Sequence, residues 1–403
     1  MKFFINYKLI GFFMSFLVFG CVHADGAKRT LSAELNPNCP ESICETKNEN
    51  NATTLIHVRA DGENDTLHYI WDLSRQPSVL VALCERDTNV TINWNETFMD
   101  VKTVQFTIKP KYTMSFVLTK VFIFNDVTDQ ASIIGVNKSN IETIDARELT
   151  WTREEFNKST NEVKVAVSGK DDASIGCNGV INLKLKCYNE EDHDKETPHL
   201  LHSANVTQVD MEFIDLIPSD TKFESIRIAA EFVLVADSET TKTPFTINKR
   251  KTVDDENTPG VFTLIDINTP QVKNNTHASY LQYRPISYTE QSRDITKRTD
   301  VHLNQPDFLD DAETYLNLSI AYSYYGNTLD QYLVQSFNVS FGQREDKFYS
   351  NYTTWTFILG YGTSPPEHVS MFIAILACIG LGIPLLLLII GGVYLAVKRM
   401  RNC

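Results

Sequence analysis

The sequence predicts an all-β body, built of antiparallel sheets in a sandwich-like arrangement, followed by one C-terminal membrane-spanning helix. Three observations carry this. Long stretches alternate apolar and polar residues with a period of two, as half-buried strands do. Helical spacing is scarce outside the C-terminal region. Between His368 and Lys398 there are 29 positions without a charged residue. As a helix that run would be about 43 Å long, more than the roughly 30 Å of hydrocarbon in a bilayer.

From the N-terminus, Lys2 and Lys8 precede the apolar run Leu9–Phe19, which is too short to span a membrane. Val22 and Ala24 occupy the small-residue positions of a signal-peptidase site. Residues 1–24 therefore read as a cleaved signal peptide. Residues 25–368 form the luminal body, 369–397 the transmembrane helix and 398–403 a cytoplasmic tail. Lys398, Arg399 and Arg401 place that tail inside by the positive-inside rule. The topology is type I, single-pass.

The body is acidic. Setting aside Lys2, Lys8, Lys398, Arg399 and Arg401 leaves 32 basic against 51 acidic residues, a formal charge of −19. Such a surface argues against nucleic acid and anionic lipid as partners. Asp25–Asn50 is polar and irregular. Val104, Phe106 and Ile108 then share one parity, as do Ile181, Leu183, Leu185 and Cys187, and Ile226, Ile228, Ala230, Phe232 and Leu234. Glu142–Lys158 has the spacing of a short helix. The charged segment Asn189–Pro198 reads either as a linker between lobes 51–188 and 199–362 or as a long exposed loop.

Eleven Asn-x-Ser/Thr sequons fall in the body, at Asn51, Asn64, Asn89, Asn95, Asn137, Asn157, Asn205, Asn274, Asn317, Asn338 and Asn351. Around several of them the strand parity puts the acceptor on the polar side. Val90, Ile92 and Trp94 oppose Asn89 and Asn95; Leu316, Leu318 and Ile320 oppose Asn317; Phe337, Val339 and Phe341 oppose Asn338. Sugar held there stays solvated while the other face builds the core. Bulky glycans also exclude proteases and cover strand edges.

Five cysteines face the oxidising lumen: Cys39, Cys44, Cys84, Cys177 and Cys187. The expected bridge is Cys177–Cys187, with Cys39–Cys44 second and Cys84 an alternative partner; an odd count leaves one thiol over. No zinc-ligand spacing accompanies them.

Motifs for catalysis are weak, and neither a cofactor nor a metal is expected. There is no nucleophile elbow, zinc-protease motif or phosphate-cradling glycine loop. His199 and His202 read better as loop residues than as metal ligands. Asp254, Asp255 and Glu256 are adjacent, so on an extended chain they cannot converge on one glycosidic bond; a turn before Pro259-Gly260 is the better reading. His57 and His68 lie in strand-like stretches and suit structural hydrogen bonds. Lys249-Arg250-Lys251 reads as an exposed loop rather than a processing site. In the membrane segment, Ala374, Cys378 and Gly382 recur every fourth residue, with Gly392 and Ala396 further on. That spacing makes a small-residue face against which another helix can pack.

The chain resembles the glycosylated lysosomal membrane protein family. The resemblance rests on His57-Val58-Arg59-Ala60, Thr66-Leu67-His68-Tyr69-Ile70-Trp71 and Val90-Thr91-Ile92-Asn93-Trp94. It continues through Asp254-Asp255 with Pro259 and Val261-Phe262, Arg284-Pro285 with Tyr288, Phe337-Asn338 with Phe341-Gly342, and Pro365-Pro366. The resemblance implies a lysosomal type I protein, not an enzyme, that accompanies a polytopic transporter of the major facilitator class which exports dipeptides. Its glycosylated body would shield that transporter from lysosomal proteases. The rival readings are a luminal hydrolase and a receptor or adhesion protein at the plasma membrane.

Overall fold

The computed structural model describes residues 28–44, 53–94, 102–170, 178–240, 243–254, 256–272, 276–366 and 371–401. The signal-peptide segment, Asn51, Asn95, Asn274, Cys177 and the last two residues lie outside them.

Two large antiparallel sheets face each other. In the first, the order is Thr30–Leu35, Leu55–Asp61, Asp65–Asp72, Ser78–Glu85, Tyr112–Asn125, Ile226–Ala236 and Leu333–Phe341. In the second it is Thr150–Lys158, Glu162–Lys170, Asn178–Tyr188, Val206–Ile217, Tyr352–Tyr361, Ser279–Tyr283, Gly260–Asn268 and Thr246–Asp254. Arg298–Leu303 pairs with Ile286–Tyr288 of the second sheet and with Leu333–Phe341 of the first, so it ties the two together.

One apolar core fills the space between the sheets. The alternating residues Ile181, Leu183, Leu185 and Cys187 all enter it, as do Ile228, Ala230, Phe232 and Leu234. At its centre Phe116 meets Phe357 at 5.2 Å between ring centroids, and Phe232 meets Trp355 at 5.9 Å. Such offset and edge contacts add to the area the rings bury.

The outer face of the first sheet is covered too. Ile70, Leu80, Val117, Val233 and Val235 pack under two short helices, Ala312–Leu316 and Ile320–Tyr325, and a hairpin of Val90–Trp94 with Lys102–Phe106. Here strand parity misleads. Leu316 and Ile320 belong to helices, and Asn317 is the C-cap of the first of them. The local chemistry explains it: Asp311 and Ser319 cap the two helices by accepting from the backbone N–H of Thr314 and Tyr322. In the other direction, the helix expected over 142–158 is two strands, Ile141–Asp145 and Thr150–Lys158, separated by one 3-10 turn. Trp151 anchors the second of these by lying against Gly169, where a Cβ would meet its ring at 2.7 Å.

Strands on either side of Asn189–Pro198 pair directly. Asn178–Tyr188 runs beside Val206–Ile217, and Tyr112–Asn125 beside Ile226–Ala236. The segment is thus a loop rather than an interlobe linker, with Glu190, Glu191, Asp192, Lys195 and Glu196 exposed as expected, but it is pinned to the sheet. Asp192–His193 pairs with Leu201–His202, and Asp194 is buried.

The last element is a helix from Met371 to Arg401, 31 residues long, with Pro384 inside it. Within its stretch Cys378–Arg401 an 18-residue window has a mean hydropathy of 2.4. The helix runs past Val397 through the basic residues. Cations in the last turn favour the helix dipole, so nothing stops it at the hydrocarbon boundary.

Candidate functional site

The outer face of the second sheet carries a polar recess. Four strands in register place Asn157, Lys164, Lys186 and Gln208 in one row across it. The next row holds Glu155, Ala166, Lys184 and Asp210. The segment 189–202 folds over part of these rows and borders a half-open recess of about 760 Å3.

Beneath that cover lies a buried charge cluster. Lys186 Nζ donates to Asp194 at 2.9 Å and lies 3.9 Å from Asp210. Arg293 donates to Asp210 at 3.1 Å and to the Thr197 carbonyl at 3.1 Å. Gln208 donates to Asp194, and Thr356 to Asp210. Two cations thus face two carboxylates, the arrangement that makes buried charge tolerable. Burial tends to raise the Asp194 pKa, but Lys186 and the Gln208 hydrogen bond outweigh it and hold the carboxyl below its ordinary range. Burial likewise tends to lower Lys186, while Asp210 and Asp194 raise it overall. His202 stacks on Tyr188 at 3.4 Å, and burial pushes its pKa down to about 4.

The residues weighed for catalysis take structural positions. His199 Nδ1 sits 2.7 Å from the Asp194 carbonyl oxygen. His57 Nε2 lies 2.9 Å from His68 Nδ1, with the rings stacked. Desolvation is the main cause that lowers both, to about 4 and about 3. Asp254 is buried, accepts backbone N–H groups of Glu256, Asn257 and Thr258, and pairs with Arg284 at 3.1 Å. It holds a turn closed; Asp255 lies outside the described residues. Lys249-Arg250-Lys251 is part of the strand Thr246–Asp254, not a loop. Arg250 pairs with Asp266 and donates to the Pro365 carbonyl. Among the described residues, no group of three or more His, Cys, Asp or Glu side chains is placed to hold a metal ion.

Eight of the eleven sequons are described. Asn64, Asn89, Asn137, Asn157, Asn317 and Asn351 are exposed. Asn205 and Asn338 are half-buried; Asn205 accepts from Arg29 Nε at 2.7 Å, and Asn338 from Asn304. Apart from Asn338, which lies within the strand Leu333–Phe341, the described acceptors lie on turns, strand ends and cover elements of both sheets, so sugar on them would surround the body.

A family profile described as glycosylated lysosomal membrane protein matches residues 54–402. The chain belongs to the glycosylated lysosomal membrane protein family. Similar relatives include glycosylated lysosomal membrane protein B of Xenopus laevis, 25% identical over 93% of this chain and 91% of the relative. The Danio rerio protein is 24% identical over 94% and 91%, and the Homo sapiens protein 22% identical over 86% and 84%. These relatives are named as membrane proteins, not as enzymes.

This member of the family is a lysosomal membrane protein, with one C-terminal helix able to span the bilayer after a large luminal β body. Ala374, Cys378 and Gly382 all fall within that helix. Among the cysteines, Cys39 and Cys44 are bridged. Cys84 and Cys187 are free and buried. The preferred Cys177–Cys187 bridge is therefore corrected. Asn178–Tyr188 is one continuous strand, so Cys187 sits about 30 Å from Asn178, the neighbour of Cys177. A disulfide needs Cα atoms within about 7 Å. Sequence reasoning missed the Lys186–Asp194–Asp210–Arg293 cluster. Its one available signal was the polar parity of Asn182, Lys184 and Lys186 opposite a fully apolar one, which does not say that a loop covers it.

Proposed function

We propose that this chain is a non-enzymatic accessory subunit of a polytopic lysosomal transporter of the major facilitator class, one that exports dipeptides. Its glycosylated luminal body shields the partner from lysosomal proteases and keeps it abundant. The observation that carries this reading is the placement of acceptors. Six sequons are exposed on turns, strand ends and cover elements of a lysosomal membrane protein whose β body is filled by packed side chains. A body jacketed in this way resists proteolysis. Through one helix with small residues at every fourth position it can lend that resistance to a neighbour in the membrane.

Mild-detergent purification of the tagged protein should recover a partner with about twelve spans. In cells lacking the chain, that partner's half-life should fall while its message stays constant. Replacing Cys378 and Gly382 together by Leu should reduce recovery of the partner without altering the luminal body. A partner half-life that is the same with and without the chain would refute the proposal.

A further inference from the structure

We propose that the cavity beside Asn157 is a cradle for the N-linked glycan carried by Asn157 itself, so that this sugar packs as part of the folded surface. The inference rests on the body being glycosylated, as proposed above.

Asn157 is exposed near the end of Thr150–Lys158, for which no further pairing strand is described on its outer side. Its side chain shares the parity of Glu155 and turns to the outer face. There Nδ2, the atom a glycan is attached to, lies 2.6 Å from Glu155 Oε1. The cavity opens from that point. It runs over Lys164 to Lys186, two interstrand steps or about 10 Å. Asn189, Glu190 and Asp192 also line it. A volume of about 760 Å3 holds a few sugar residues.

The chemistry of the lining selects a neutral polyhydroxylated occupant. The charges around it are already matched in pairs. Lys164 meets Glu155 at 3.0 Å, Lys28 meets Glu190 at 2.9 Å, Lys186 meets Asp194 at 2.9 Å, and Arg293 approaches Glu196 at 3.6 Å. Six acidic and four basic side chains line the recess, and Lys28 and Arg293 approach from outside it, so little net charge is left to attract an anion or a cation. What remains is a dense array of donors and acceptors at fixed spacing, suited to hydroxyl and acetamido groups. His202 lines the same cavity and is 4% exposed, and its Nδ1 has no hydrogen-bond partner. A buried polar atom left without a partner calls for an explanation, and a sugar hydroxyl reaching His202 Nδ1 would supply one.

The test uses the full-length glycosylated protein. An amidase that cleaves the Asn–sugar bond is applied to the folded protein, and each site is followed by glycopeptide mass spectrometry. The Asn157 glycan should be released at least about tenfold more slowly than those on Asn317 and Asn351, the factor expected when the accessible state is one part in ten. After denaturation the rates should be equal. In Asn157→Gln, amide exchange across 189–196 should rise, whereas Asn351→Gln should leave it unchanged. Release from Asn157 as fast as from the exposed sites overturns the cradle, and so does an unoccupied Asn157 in a protein glycosylated elsewhere. Both outcomes leave the glycosylated body standing. Only a protein bare at every sequon overturns the two together.

Discussion

The buried histidine pair makes the stability of this body depend on pH, in a window that an acidifying lumen crosses. His57 and His68 face each other across adjacent strands, and His68 is 0% exposed. Desolvation, the largest cause, lowers both from 6.5, to about 4 and about 3; Arg59 nearby acts in the same direction. In the unfolded chain both rings regain 6.5. Above that value neither state binds a proton, and the contribution of the neutral pair is present in full. As pH falls below 6.5 the unfolded chain takes up protons that the folded pair refuses, so stability is lost until the folded values are reached, about 4 for His57 and about 3 for His68. At pH 5.0 the interval is 1.5 units, which amounts to about 2 kcal/mol for one withheld proton and about 4 for two.

The variant His57→Thr/His68→Leu removes the refusal along with the rings. Its packing loss is the same at every pH, so the informative quantity is the change in its difference from the wild type. Melting midpoints of the purified glycosylated proteins should be compared at pH 7.0 and 5.0. The variant should gain on the wild type by about 3–8 °C on going to pH 5.0, taking about 2 °C per kcal/mol for a body of this size. A difference that stays constant between the two pH values refutes the reasoning.

Arg227, 1% exposed, holds Asp126, Asp129 and Asp346 at 2.7–2.9 Å. Arg227→Met should therefore cost about 3–5 kcal/mol, seen as a lower melting midpoint, since it strands a buried carboxylate. Gly169→Ala drives a methyl group into the Trp151 ring. It should cost about 1–3 kcal/mol and alter the tryptophan emission of the folded protein, whereas Gly135→Ala, which meets nothing within 4 Å, should leave that emission unchanged. Arg250 clamps the segment before the membrane through Ser364 and Pro365. Arg250→Ala should speed proteolytic release of the body from intact membranes, measured as soluble fragment over time, with no loss of unfolding stability beyond about 1 kcal/mol.

Period two identified the sheets because most strands bury one face in the common core, as Asn178–Tyr188 does. Reading failed where a second layer intervenes. The strand Ile226–Ala236 is buried on both faces, since Val233 and Val235 lie under the helical cover while Phe232 and Leu234 enter the core. That cover, 312–325, alternates like a strand but is set by Asp311 and Ser319, whose capping bonds decide against extension. The acceptor positions were largely legible as polar, Asn338 among them by its parity against Phe337, Val339 and Phe341; the half-burial of Asn205 and Asn338 was not, because each is held by a distant partner, Arg29 or Asn304.

The charged segment 189–198 shows why composition alone is a poor guide to exposure. A run with Glu190, Glu191, Asp192, Asp194, Lys195 and Glu196 has the look of solvated chain. Whether one of its charges is buried depends on what waits beneath it. Here the sheet below presents Lys186 and Gln208 from neighbouring strands, and Arg293 arrives from a loop almost a hundred residues later. Only together do they offset the desolvation of Asp194. The same docking that satisfies these charges turns an open sheet face into a walled recess ending at Asn157. The recess is thus a consequence of burying Asp194, and an Asp194→Asn chain that releases the cover should expose Asn157's sugar to the amidase along with it.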